Sequence, residues 1–186
     1  MKTRLIMLVL GIQTLFLLGI AGREQFRLGH GVVVHLETAP VDPRDPLRGD
    51  FVILDYSISS IRLELMGMDQ TNHFKPGSPI YVTLEKKGEF HEVVRASLIP
   101  KESTATQPVL QGRVTYQFGP TGSDGRAHET IHVRYGMEQY YVREGTGNPR
   151  GKLTVDASVS SSGRGVIKQL YLNGVPYAEA MRDVSR

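Results

Sequence analysis

Residues 5–21 form one apolar run without a charge, and beyond Arg23 the pattern changes to short runs in which apolar and polar positions alternate. At 1.5 Å per helical residue the first run covers about 25 Å, close to a hydrocarbon core of about 30 Å, so a membrane-spanning helix is predicted, its flanking arginines snorkelling to the interface. Gly19, Ile20 and Ala21 are small or apolar residues of the kind found before a signal-peptidase cut. The run nevertheless exceeds the usual signal core of about 7–15 residues, which favours an uncleaved signal-anchor over residues 1–22. A short tail carrying Lys2 and Arg4 reads as an export signal, which places the N-terminus in the cytoplasm and the following domain outside.

The alternating part predicts strands at 32–36, 51–58, 80–86, 90–98, 109–118, 130–135, 153–159 and 165–172. Within 51–58, Val52, Leu54, Tyr56 and Ile58 fall on one face, which is assigned to the core. Lys87-Gly88-Glu89 predicts a hairpin, Ser123-Asp124-Gly125 a loop tip, and Asn173-Gly174 a two-residue turn. Residues 61–70 fit either a strand or a short helix, because Ile61, Leu63 and Leu65 alternate while Leu-Glu-Leu-Met also suits a helical turn. A short helix is expected at 178–184. About eight strands with short connections predict an all-β domain over residues 23–186, mainly antiparallel, arranged as a sandwich or partly open barrel.

Composition narrows the chemistry. The 186 residues contain no Cys, which excludes disulfides, a thiol nucleophile, a Cys-ligated zinc and a lipidated cysteine. The net charge is +3, but Lys2 and Arg4 supply two of those charges, so the domain itself is close to neutral and nucleic acid is not an expected partner. No nucleophile elbow or dinucleotide fingerprint is present. His128 and His132 are four apart, a spacing that does not bring two imidazoles to one metal on the strand predicted for 130–135. Neither a metal nor another cofactor is expected.

Two charged clusters remain. In the first, Asp42, Arg44, Asp45, Arg48 and Asp50 are interleaved with Pro43 and Pro46, whose fixed φ angles stiffen the loop. This is either an ion-paired corner that fixes the strand at 51–58 or a preorganised pocket for an anionic or peptide ligand. The second, residues 135–147, holds Tyr135, Glu138, Tyr141 and Glu144 between glycines and can line a polar cleft or satisfy the arginines of the first cluster. Paired carboxylates support acid and base chemistry only when about 5–10 Å apart in a cleft.

Gly49-Asp50-Phe51-Val52-Ile53-Leu54-Asp55-Tyr56 resembles the motif of the GDYXXLXY family of bacterial membrane-anchored proteins, with Phe51 where the family's first Tyr stands. The preceding residues 41–48 are similar to the family's lead-in, and Tyr135-Gly136-Met137-Glu138, Tyr141 and Glu144-Gly145 are similar to its second block. The resemblance implies an N-terminal membrane segment and an extracytoplasmic domain. Because the family is often associated with multi-pass membrane proteins, it also implies a partner of that kind, but no biochemical activity. The resulting expectation is a single-pass inner-membrane protein whose periplasmic β domain binds a membrane-protein partner or envelope ligand. The candidate residues are Asp42, Arg44, Asp45, Arg48, Asp50, Tyr56, Tyr135, Glu138, Tyr141 and Glu144. The alternative is an envelope hydrolase using Asp45, Asp50, Glu138 or Glu144 as acid and base.

Overall fold

The N-terminal apolar run forms a single helix, α1 (Lys2–His30), in a computed structural model whose described residues are 2–41, 51–66, 75–118, 130–142 and 151–184. Its segment Ile6–Arg23 is long and apolar enough to cross a membrane and is not packed against the rest of the chain. The helix runs eight residues beyond the boundary predicted at residue 22, since no proline interrupts the stretch up to His30. Gly31 follows, pressed against the first sheet. A Cβ there would lie 2.2 Å from Ser158 Oγ and 2.9 Å from the Val159 carbonyl oxygen.

The strands are β1 (Val32–Val41), β2 (Phe51–Tyr56), β3 (Ser60–Arg62), β4 (Pro79–Lys87), β5 (Phe90–Ser97), β6 (Val109–Phe118), β7 (Thr130–Arg134), β8 (Gln139–Tyr141), β9 (Leu153–Val159), β10 (Gly165–Leu172) and β11 (Val175–Pro176), followed by α2 (Tyr177–Val184). They form a six-stranded sheet in the order β11-β10-β9-β1-β2-β8 and a five-stranded sheet in the order β3-β7-β6-β4-β5. All of these strand pairings are antiparallel. The fold is therefore all-β, mainly antiparallel, behind an N-terminal helix.

Alternation explains why each sheet has one apolar face. Val34, Leu36, Val52, Leu54, Val155 and Leu170 of the first sheet share one core with Ile80, Val82, Leu84, Leu110, Ile131 and Val133 of the second. Each such side chain contributes about 1.5–3 kcal/mol when fully buried, so this interior is the main source of stability. The strands at 109–118, 153–159 and 165–172 have the bounds that alternation predicts. The strand predicted at 51–58 ends at Tyr56, because Ser57–Ser59 turn as a 3-10 helix. Of the ambiguous stretch 61–70, Ile61 belongs to β3 and Leu63–Leu65 form a second 3-10 turn, with 67–70 outside the described residues. Asn173 and Gly174 both adopt positive φ, 52° and 82°, as a type I′ hairpin turn requires. The loop tip predicted at 123–125 lies outside the described residues.

Two discontinuities position the sites described below. β1 pairs with β9 over residues 32–38 but meets β2 only at 38–41, so its second edge is open near His35. β7 leaves β6 after Arg134, and residues 135–138 cross to the first sheet, where β8 pairs with β2.

Candidate functional site

The crossover at 135–138 is built from the second tyrosine cluster together with the end of the family-like motif. Tyr56 donates its hydroxyl to the Met137 carbonyl at 2.6 Å, and Tyr135 donates its own to the Ile58 carbonyl at 2.6 Å. The Leu54 N–H donates to the Glu138 carbonyl oxygen at 2.8 Å. Gly136 turns the chain at a φ of +82°, and the Glu138 carboxylate accepts from the backbone N–H groups of Tyr135 and Gly136, the latter at 3.0 Å. Burial, reinforced by the nearby Glu138 carboxylate, pushes both tyrosine hydroxyls well above their ordinary pKa. They remain donors across the physiological range, and the crossover is a fixed strap between the sheets.

Where β7 peels away, the β9–β10 turn takes its place along β6, with the Gln111 N–H donating to the Gly163 carbonyl at 2.7 Å. The exchange leaves a groove of about 790 Å³ lined by Arg113, Thr115, Arg134, Glu138, Arg164 and Gly165, among others. Gly165 is needed for close approach, since a Cβ would sit 2.5 Å from Met137 Sδ and 2.8 Å from Leu110 Cδ1. Arg113 and Arg134 are direct partners across β6 and β7. Arg113 gives one N–H to the Gly77 carbonyl at 3.1 Å. Among the described residues no carboxylate forms an ion pair with Arg113, Arg134 or Arg164. Three exposed guanidiniums thus face one carboxylate already occupied by backbone amides, and the groove is cationic.

A second polar cluster closes the open edge of β1. His35 Nδ1 donates to Asp156 Oδ1 at 2.6 Å, and the Tyr171 hydroxyl donates to Asp156 Oδ2 at 2.9 Å. His91 on β5 uses Nδ1 to accept the His35 backbone N–H at 3.0 Å, while Phe90 stacks on the His35 ring with centroids 5.1 Å apart. Lys152 lies over Phe90 and pairs with Glu37 at 2.9 Å. The bond to Asp156 raises the Tyr171 pKa, and burial lowers that of His91. The geometry fastens an edge strand of one sheet to the other.

Of the residues singled out from the sequence, Tyr56, Tyr135 and Glu138 come together at the crossover. Tyr141 is exposed on β8, its ring 6.3 Å from Phe51. Asp42, Arg44, Asp45, Arg48, Asp50 and Glu144 lie outside the described residues. Sequence reading passes over Arg113, Arg134 and Arg164, and also His35, Asp156 and Tyr171. Each stands alone in the chain and acquires neighbours only through strand pairing.

Fold and site together define a two-sheet β domain on an apolar helix, with a cationic groove at the point where the chain changes sheet. The chain belongs to the GDYXXLXY family: the family model described as GDYXXLXY protein matches residues 13–170, from within α1 to β10. No curated protein and no solved structure matches the chain.

Proposed function

We propose that the protein is a binding domain anchored by α1 in the inner membrane, with its β domain in the periplasm, and that it engages a membrane-protein partner or envelope ligand at the crossover groove. The observation that carries this reading is the groove itself, which brings three guanidiniums together beside a rigid strap, none of them ion-paired to a carboxylate among the described residues. Lys2 and Arg4 ahead of the apolar window support the orientation. Both Glu138 oxygens are already engaged by backbone N–H groups, which argues for positioning over proton transfer and against the hydrolase alternative.

The test is site-specific photo-crosslinking of the full chain in intact membranes. A photoreactive side chain at Thr115, in the groove, is expected to give a discrete adduct that disappears when Arg134 is also changed to Ala. The same probe at exposed Ile99 serves as the control. An identical adduct from Ile99, or none from Thr115, overturns the assignment.

A further inference from the structure

The groove lies at the end of the β domain where α1 joins it. Val32, the first strand residue after the helix, pairs with Val159, and Val159 pairs with Gly165. Two strand spacings, about 10 Å in all, therefore separate the start of β1 from the groove wall formed by Gly165 and its neighbour Arg164. The helix contacts β9 and β10. Between Arg23, the last residue of the apolar window, and His30 it rises about 10 Å, while the headgroup layer on one side of a bilayer is about 5–8 Å deep. A spanning α1 consequently sets the groove at the outer margin of the headgroups, within reach of long arginine side chains.

The charge arrangement specifies what fits there. Arg113 and Arg134 face each other in register, and like charges so placed repel. Arg164 adds a third guanidinium from the β9–β10 turn. A carboxylate suits one planar guanidinium fork, whereas a phosphate offers oxygens in several directions and can bridge guanidiniums that approach from different strands. Glu138, which also lines the groove, disfavours a ligand bearing an additional carboxylate, while its carboxylate has lone pairs beyond those taken by the Tyr135 and Gly136 N–H groups and can accept one further bond from a hydroxyl.

Resting on the reading of the groove as a binding site, we propose that its ligand is the phosphate of an anionic, hydroxyl-bearing phospholipid headgroup, held by Arg113, Arg134 and Arg164. The lipid comes from the leaflet on which the domain sits, so the groove ties the domain to the membrane surface at a second point beside α1.

Native mass spectrometry of the full chain in dodecyl maltoside micelles, supplied with equal amounts of phosphatidylglycerol and phosphatidylcholine, tests this. The wild-type protein is expected to retain phosphatidylglycerol preferentially, with about tenfold weaker retention for each of Arg134→Gln and Arg164→Gln, equivalent to about 1.4 kcal/mol. Arg164→Lys, which keeps the charge and loses the fork, should fall between. Circular dichroism checks that the variants fold, and the exposed Arg164 decides alone if the Arg134 variant does not. Equal retention of the two lipids overturns the proposal. So does unchanged phosphatidylglycerol retention in the arginine variants, which would place the lipid on α1. Glycerol phosphate that binds while no lipid is retained assigns the groove to a soluble anion and overturns the lipid source. Failure of lipid selectivity with the Thr115 adduct intact removes the lipid and leaves the groove as a partner site, whereas failure of both removes the binding site itself.

Discussion

His91 accepts a backbone N–H with an imidazole nitrogen that has to stay unprotonated to do so, which makes this contact sensitive to acid. Burial, opposed in part by its hydrogen bond with His35 and aided by the nearby Lys86 charge, holds its pKa below the usual histidine value. The unfolded chain therefore binds this proton more readily than the folded one. Its contribution to stability is complete above about pH 6.5 and is lost as the pH falls toward the folded-state value. Glutamine at this position supplies an acceptor that does not titrate. His91→Gln is accordingly expected to flatten the loss of stability between about pH 7 and 5, read from denaturant midpoints. Parallel curves for the two proteins would assign the acid sensitivity to other groups. None of this is visible in the sequence, where His91 is one of six scattered histidines. Its partner is the backbone of a residue 56 positions away.

At the scale of elements, alternation with turn residues at both ends sets the bounds of the longer strands. Leu153–Val159 and Gly165–Leu172 are examples, one ending and the other beginning beside a Ser- and Gly-rich turn, and their bounds hold although the register between them shifts at Ile167/Gln169. β3 and β8, at three residues each, are too short to show a period, and they exist because Ile61 and Tyr140 find partners on β7 and β2. The crossover follows the same logic: Tyr-Gly-Met-Glu reads as a polar cluster, yet its tyrosine is spent inside the fold and its glutamate on the local backbone. Tyr135→Phe leaves the buried Ile58 carbonyl without its donor. The expected cost is about 1–3 kcal/mol in unfolding free energy, seen as a lower denaturant midpoint at unchanged slope. An unchanged midpoint would mean that the strap does not depend on this bond. The arginine groove escapes the sequence for a related reason, since only the register of β6 on β7 sets Arg113 opposite Arg134.

For the molecule as a whole, the division of labour between helix and sheets is sharp. All residues of the described core lie beyond residue 33, so the described interior is built from the two sheets and α2. A chain beginning at Gly31 is therefore expected to unfold in one cooperative denaturant transition as a soluble protein, while the full chain requires detergent. A broad transition without near-ultraviolet dichroism would show that the helix is needed for packing. The overall class and the helix were readable because both depend on the period of hydrophobicity, which a single sequence displays in full.

The junction between these two parts has a mechanical consequence. One residue, Gly31, separates the end of α1 from the start of β1, and it is wedged against Ser158 and Val159 with no room for even a methyl group. Such a joint has little slack with which to absorb torque. In the proposed membrane-anchored arrangement, a neighbour in the bilayer that rolls or tilts α1 is expected to swing the six-stranded sheet with it, the helix acting as a tiller for the bearing of the arginine groove.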